Sequence, residues 1–273
     1  MTTSKRIIKY LSIAFAIFLT ITIISSITSF LYSLVTTLKD TSNNKNMSEV
    51  WQNTNIIVND LDINLDYSSL NIKVGDKLSI ETSSQDIKYL IEDNTLKIED
   101  NKKIKLTNNE KEEVTIYIPS NIVLNKINID MGIGTLNIEN ISARKLELNL
   151  GAGTTTIDNI YSENTNIDTG AGTFTITNGN INNLDLDIGV GKTTINSNIT
   201  GNSTISAGIG SLSLSLPNNN YTFKVEKGIG KVIINDKEVK DNEIVGTGTN
   251  IIKLSGALGD IKVRYEERWV SKK

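Results

Sequence analysis

The chain has 273 residues, 38% of them hydrophobic but only 5% aromatic, with 28 basic and 31 acidic side chains and neither cysteine nor histidine. Without cysteine there are no disulfides, thiol nucleophiles, lipoprotein attachment or thiolate metal sites, and without histidine no Ser-His triads or imidazole zinc sites. Any chemistry would run on carboxylates, Lys, Tyr or Ser/Thr, and a net charge of −3 lacks the basic face of a nucleic-acid binder, so the expectation is a non-catalytic binding or structural protein without cofactor or metal.

From Tyr10 to Leu38 no residue is charged, and Lys5, Arg6 and Lys9 precede the run while Lys39 alone follows closely. About 20 residues cross a bilayer, and the flanking charge keeps the N-terminus cytoplasmic, so the reading is an uncleaved single-pass anchor in the cell membrane. The competing reading is a cleaved signal peptide; the run is longer than its apolar region and lacks a small-residue cleavage site. Residues 1–9 are then cytoplasmic, 10–38 the transmembrane helix and 39–55 a polar Asn/Ser/Thr-rich linker, with an extracytoplasmic domain over 56–265 and a tail over 266–273. Beyond residue 9 the net charge is −6, a mildly acidic outer domain rather than a polybasic one.

Leu78–Glu99 and Val114–Pro119 read as strands around a charged loop, Glu99–Glu113. Then a repeat takes over. Gly-x-Gly recurs at Gly132/Gly134, Gly151/Gly153, Gly170/Gly172, Gly189/Gly191, Gly208/Gly210 and Gly228/Gly230, at spacings of 19, 19, 19, 19 and 20. An apolar residue stands three before each first glycine (Ile129, Leu148, Ile167, Leu186, Ile205, Val225) and another four after each second glycine, and polar residues alternate between them. Period-two alternation in Ile, Val and Thr is a strand signal. Inward positions are odd before the glycines and even after them, so Gly-x-Gly must absorb a one-residue phase change as a corner or bulge. A unit this short cannot bury its own apolar face, so the expectation is an all-β, parallel β-solenoid of ~19-residue rungs behind one transmembrane α-helix. Each unit reads as two short strands and a return loop. Asn140, Asn159 and Asn178 share a repeat position and predict an Asn ladder, part of the use of 34 asparagines.

Degenerate units flank the repeat. Ile63-Asn64-Leu65-Asp66-Tyr67-Ser68 mirrors Ile127–Gly132 with Ser in place of Gly, and Gly256–Val263 resembles a last rung. Trp51 and Trp269 lie outside the repeats, where Trp269 is read as capping the solenoid end.

The chemistry-bearing patterns have structural readings beside them. Gly189-Val190-Gly191-Lys192-Thr193-Thr194 invites comparison with a phosphate loop, but Leu186 stands where that loop needs Gly and the segment is one rung of a series, so no nucleotide is expected. Asp130, Asp168 and Asp187 share one position with Asn149, Ser206 and Glu226; the adjacent Asp168 and Asp187 form a carboxylate ladder that suits a weak cation or an acid/base pair, against the reading of a solvated outward face. Thr154, Thr156, Thr173 and Thr175 form a Thr-x-Thr array with Ser211 and Ser213 in register, interrupted by Lys192 and Lys231; such a ladder matches ordered water or a regular polymer, and Thr is also an ordinary strand residue.

The anchor, the strand Val114-Thr115-Ile116-Tyr117-Ile118-Pro119 running into Leu124–Asp130, and the serial Gly-x-Gly rungs resemble the bacterial adhesin-like β-solenoid family, also described as the toast-rack domain of cell-envelope stress systems. The resemblance covers about residues 56–265 and implies a membrane-tethered extracytoplasmic module for envelope-stress signalling or surface interaction, with a protein or cell-wall partner. It brings no catalytic signature. A carbohydrate-active β-helix enzyme using stacked carboxylates is the alternative, and the missing histidine and scarce aromatics count against it.

Overall fold

The computed structural model describes residues 49–52, 57–82, 84, 86–100 and 112–265. The apolar span Tyr10–Leu38, the tail from residue 266 with Trp269, and most of the charged stretch 99–113 lie outside these residues. Among the described residues no helix is long and apolar enough to cross a membrane.

One sheet of parallel, in-register rungs carries the molecule. Leu124–Ile138 stacks on the rung inside Ile141–Asn182, with Ile127 opposite Leu146 and Ile138 opposite Ile157. Leu184–Asn196 and Asn202–Leu216 follow in the same register, Leu186 opposite Ile167 and Ile205 opposite Leu186. Identical positions therefore stack along the rungs about 4.8 Å apart. The clearest result is an aliphatic column of Ile98, Ile63, Ile129, Leu148, Ile167, Leu186, Ile205, Leu254 and Val225, all at most 1% exposed. Each such burial is worth ~1.5–3 kcal/mol, and the column needs no aromatic residue.

The corner behaves as its phase requires. Leu146 and Leu148 are buried before it and Thr155 and Ile157 after it, a switch of parity within one chain. Pairing runs Met131–Leu150 and then Ile133–Ala152, skipping Gly132 and Gly151 as a bulge does. Two constraints make glycine necessary. A Cβ on Gly172 would overlap the carbonyl oxygen of Gly153 in the rung below, and its φ of 142° is one that L side chains rarely adopt. At Gly170 the φ is ordinary and the close approach to the Gly151 carbonyl alone excludes a side chain. The residues between the glycines are only half-buried, and at the outer C-terminal rung Ile229 is 74% exposed.

Several expectations change in detail. The return segment is a third strand rather than a loop: Ile141–Asn182 is continuous, Asn198–Thr200 pairs with Asn180–Asn182, and Ile160, Ile181 and Ile199 are buried. Among the described residues Asn140, Asn159 and Asn178 do not form the expected ladder, since Asn159 donates to the Glu139 carbonyl (3.1 Å) instead; the Asn contacts between rungs lie elsewhere, Asn183 donating to Asn164 Oδ1 (3.4 Å) and accepting from the Asn202 amide (3.2 Å), and Asn198 donating to Asn180 (2.6 Å). The segment read as linker contains a strand, Glu49–Gln52, antiparallel to Ser79–Thr82 with Trp51 opposite Ile80.

Both ends of the stack depart from chain order. Gly256–Val263 is not the last rung: Asn250–Tyr265 inserts between Asn202–Leu216 and Tyr221–Ile229, with Ile205 opposite Leu254 and Leu254 opposite Val225. The Gly228/Gly230 unit is therefore outermost. This corrects the expectation for two corner glycines. Repeat order makes Gly210 and Gly230 successive corners, but they do not stack on each other: Gly210 pairs with Gly259 of the inserted strand, and a Cβ on Gly230 would meet the Gly259 carbonyl. Nor is Gly230 a bulge inside a continuous strand, as the other corners are. It is an exposed bend between Tyr221–Ile229 and Val232–Ile234, because this rung has a parallel neighbour on one side only. Gly210 is exposed as well.

The outermost rung is covered by two short antiparallel strands, Ile244–Val245 and Lys237–Val239. The N-terminal end repeats the arrangement. Asp60–Val74 sits one rung in, beneath Thr95–Asp100 and Glu112–Ile118, which carry the antiparallel strands Ile87–Glu92 and Ser79–Thr82. Its register also moves by two residues from the sequence alignment, because Asp66 and Ser68, not Ser68 alone, fall at the glycine positions. A two-residue slip leaves the in–out alternation unchanged, so hydrophobicity alone cannot detect it. Antiparallel covers close sheet edges that would otherwise template aggregation.

Candidate functional site

Each rung turns two strand faces outward, one before the glycine corner and one after it. On the first face the column anticipated from the repeat exists and is longer: Glu99, Asn64, Asp130, Asn149, Asp168, Asp187, Ser206, Ser255 and Glu226 occupy successive rungs. Ser255 separates Ser206 from Glu226, a consequence of the inserted terminal strand. Toward the N-terminal end the face is tied to itself. Asn128 donates to Asp62 (2.9 Å) and Asp130 (3.0 Å), Asn149 donates to Asp130, and Lys126 and Lys145 each meet Glu147 at 2.6 Å. Hydrogen bonds from those two lysines hold the Glu147 carboxyl below the usual carboxylate range.

The middle rungs differ. Asp168 pairs with Asp187 in the ladder, and Asp185 stands two residues from Asp187. Partial desolvation, then the charges of Asp187 and Asp185, push the Asp168 carboxyl above its ordinary value. Beside these residues the glycine corners leave two open surface depressions of about 510 and 450 Å³, the first lined by Asp168, Asp187, Gly189 and Gly208 and the second by Asp130, Asp168 and Gly170. Among the described residues no group of three or more acidic side chains is arranged to hold a metal. Beneath the corner, between Leu136, Ala152, Thr155 and Phe174, the interior void is about 30 Å³, room for little more than a water.

After the corner the outward positions from Thr135 to Ser213 are neutral but for Lys192. Thr135 and Asn137 stack on Thr154 and Thr156, and Thr173 and Thr175 on Lys192 and Thr194, which in turn meet Ser211 and Ser213. The contact of Gly172 with Gly153 places the Thr173/Thr175 rung on the Thr154/Thr156 rung. Lys192 is the one charge among these ten positions. Lys231 does not interrupt the array where sequence order puts it; Asp260 follows Ser211, and Lys231 lies beyond, its amide donating to Asp260 (3.0 Å). The hydroxyls of Thr154, Thr156, Thr173, Thr175, Thr194, Ser211 and Ser213 make no hydrogen bond to any described residue. Gly189–Thr194, the segment resembling a phosphate loop, is a corner and second strand like the others.

Sequence reasoning found the Thr-x-Thr array but left out Thr194, Asn137 and Thr135. All three were readable from the 19-residue period, Thr135 and Asn137 one unit before Thr154 and Thr156, and Thr194 one unit after Thr175 on the rung of Lys192. Asp185, which bears on Asp168, was equally readable two residues before Asp187.

Residues 54–264 match the family described as Toastrack DUF4097, and the chain belongs to that family. Among solved structures it is similar to a "putative cell adhesion protein" from Clostridium sporogenes, at 17% identity over 80% of this chain and 98% of that one, with a TM-score of 0.39. It is also similar to a "putative adhesin" from Bacteroides fragilis, at 16% identity over 80% of this chain and 96% of that one, with a TM-score of 0.42. No curated protein matches.

Proposed function

We propose that this protein is a single-pass membrane protein that presents a non-catalytic β-solenoid outside the cell as an adhesin-like interaction scaffold in a cell-envelope assembly, one that senses envelope stress. The observation that carries the reading is the stack itself: nine rungs in one register, from Ile98 to Val225, expose uninterrupted outward columns. At about 4.8 Å per rung these columns extend for ~40 Å, a length suited to an extended partner rather than to a small substrate. The interior void is far too small for a ligand, and the carboxylates stand on an exposed face.

The anchor reading rests on the uncharged run Tyr10–Leu38 and the basic residues before it. Photo-cross-linking in intact cells, with a benzophenone amino acid at Thr173 or at Asp168, tests the scaffold. Discrete partner adducts from one face are expected, and their absence from both faces contradicts the reading. Protease added outside intact cells should remove the domain, whereas full protection contradicts the topology. Polysaccharide turnover abolished by Asp168→Asn would overturn the non-catalytic assignment.

A further inference from the structure

We infer that the face after the glycine corner is a binding site for a neutral, 1,4-linked polysaccharide lying along the stack. The inference rests on the scaffold reading and names the partner class. Two observations carry it. First, from Thr135/Asn137 to Ser211/Ser213 nine of the ten outward positions are uncharged and polar, in two in-register columns. Second, seven hydroxyls there (Thr154, Thr156, Thr173, Thr175, Thr194, Ser211 and Ser213) bond to no described residue, whereas much of the first face uses its polar groups on itself.

The chemistry of the partner follows. Hydroxyls repeat about 4.8 Å apart along each column, and the two columns stand about 6.6 Å apart along the strand direction. A 1,4-linked chain of β-pyranose units advances by close to one rung spacing per sugar, so each ring can meet one rung with its own hydroxyls. A protein partner is disfavoured because interfaces need buried aromatic or aliphatic anchors. The exposed large apolar residues among those described, from Ile57 and Val74 to Ile244 and Leu258, are all outside these columns. An anionic polymer finds only Lys192 here and a carboxylate-rich face around the corner. With no aromatic ring in the columns to stack on a sugar, each rung contributes weakly, and affinity grows with the number of rungs engaged.

The test is retention of the full chain, in detergent, on insoluble cellulose and chitin, with de-esterified pectate gel as the anionic control. Retention on at least one neutral polymer, little changed between low and high salt and absent on pectate, is expected. Thr156→Val/Thr175→Val/Thr194→Val keeps β-branched shape and removes three hydroxyls, and retention should fall at least about tenfold. A thermal melt confirms that this variant is folded, and the single variant Thr175→Val replaces it if it is not. Asp168→Asn/Asp187→Asn should retain the polymer undiminished. The inference is overturned if wild type is not held by either neutral polymer, if the valine variant binds as well as wild type, or if binding follows the Asp168/Asp187 pair. Protein adducts in cells alongside no polymer retention would sink this inference while leaving the scaffold reading in place.

Discussion

The two faces of a rung are built from the same strand geometry and differ only in which residues point outward. Before the corner, Asp130, Asp168, Asp185 and Asp187 concentrate negative charge; after it, Thr154, Thr156, Thr173, Thr175 and Thr194 present hydroxyls. In a solenoid a single repeat position becomes a column, so one residue choice is multiplied along the stack. A like charge at such a position costs repulsion at every neighbouring rung, while a hydroxyl repeats without penalty. The first face limits its cost by mixing Asn and Ser among its carboxylates and by pairing Glu147 with Lys126 and Lys145. The second needs no such device.

Substitutions sharpen this contrast. The largest effect is expected at the corner that separates the faces. Gly172→Ala meets both the Gly153 carbonyl and an unfavourable φ, at a cost of ~4 kcal/mol or outright loss of the fold, read from denaturant unfolding. Next is the shared core: Ile167→Ala leaves a cavity within the aliphatic column and should cost ~3 kcal/mol by the same measurement.

On the acidic face the sign reverses. The Asp168 carboxyl is held above its ordinary value, so the native state keeps its proton more tightly than the unfolded chain does. Its contribution therefore favours folding at acid pH and is lost as pH rises through the native pKa. Asp168→Asn should raise the melting temperature at neutral pH, and the gain should shrink as pH falls toward 4 and as salt is added. The side chain is exposed and screened, so a few tenths of a kcal/mol is the expected size. A lower melting temperature in Asp168→Asn would show that the carboxylate is used in an attractive contact. Of the same size or smaller, the effect of Thr175→Val on stability should stay below ~0.5 kcal/mol, since its hydroxyl makes no hydrogen bond to a described residue.

The middle of the domain was legible in the sequence because a 19-residue period repeats there with the inward positions fixed. Ile129, Leu148, Ile167, Leu186 and Ile205 form the expected column, and the parity switch at the glycines is the one observed. The ends were not legible, for a topological reason. Rung order is set by which strand edges remain to be covered, and the insertion of Asn250–Tyr265 inside Tyr221–Ile229 left only a faint trace, the spacing of 20 between Gly208 and Gly228. Gly210 and Gly230 read as neighbouring corners for the same reason, although Gly259 stands between them. At the other end Asp66 and Ser68 carry no glycine to mark the corner, so the alignment slipped by two residues. The site was partly legible: the Thr and Asp columns follow from the period, whereas the free state of the hydroxyls depends on side-chain partners that sequence does not show.

One register runs through every rung, including the strand that returns into the stack. The absence of native cysteine makes that directly measurable. Ser206→Cys with Ser255→Cys places two thiols at opposed positions on adjacent rungs, within reach of a disulfide. Ser206→Cys with Glu226→Cys pairs positions that are neighbours in repeat order but stand two rungs, ~9.6 Å, apart across Ser255. Mild oxidation of the folded full chain should cross-link the first pair and leave the second reduced. Efficient bonding of the second pair with none in the first would contradict the rung order, and with it the unbroken faces on which the proposed function stands.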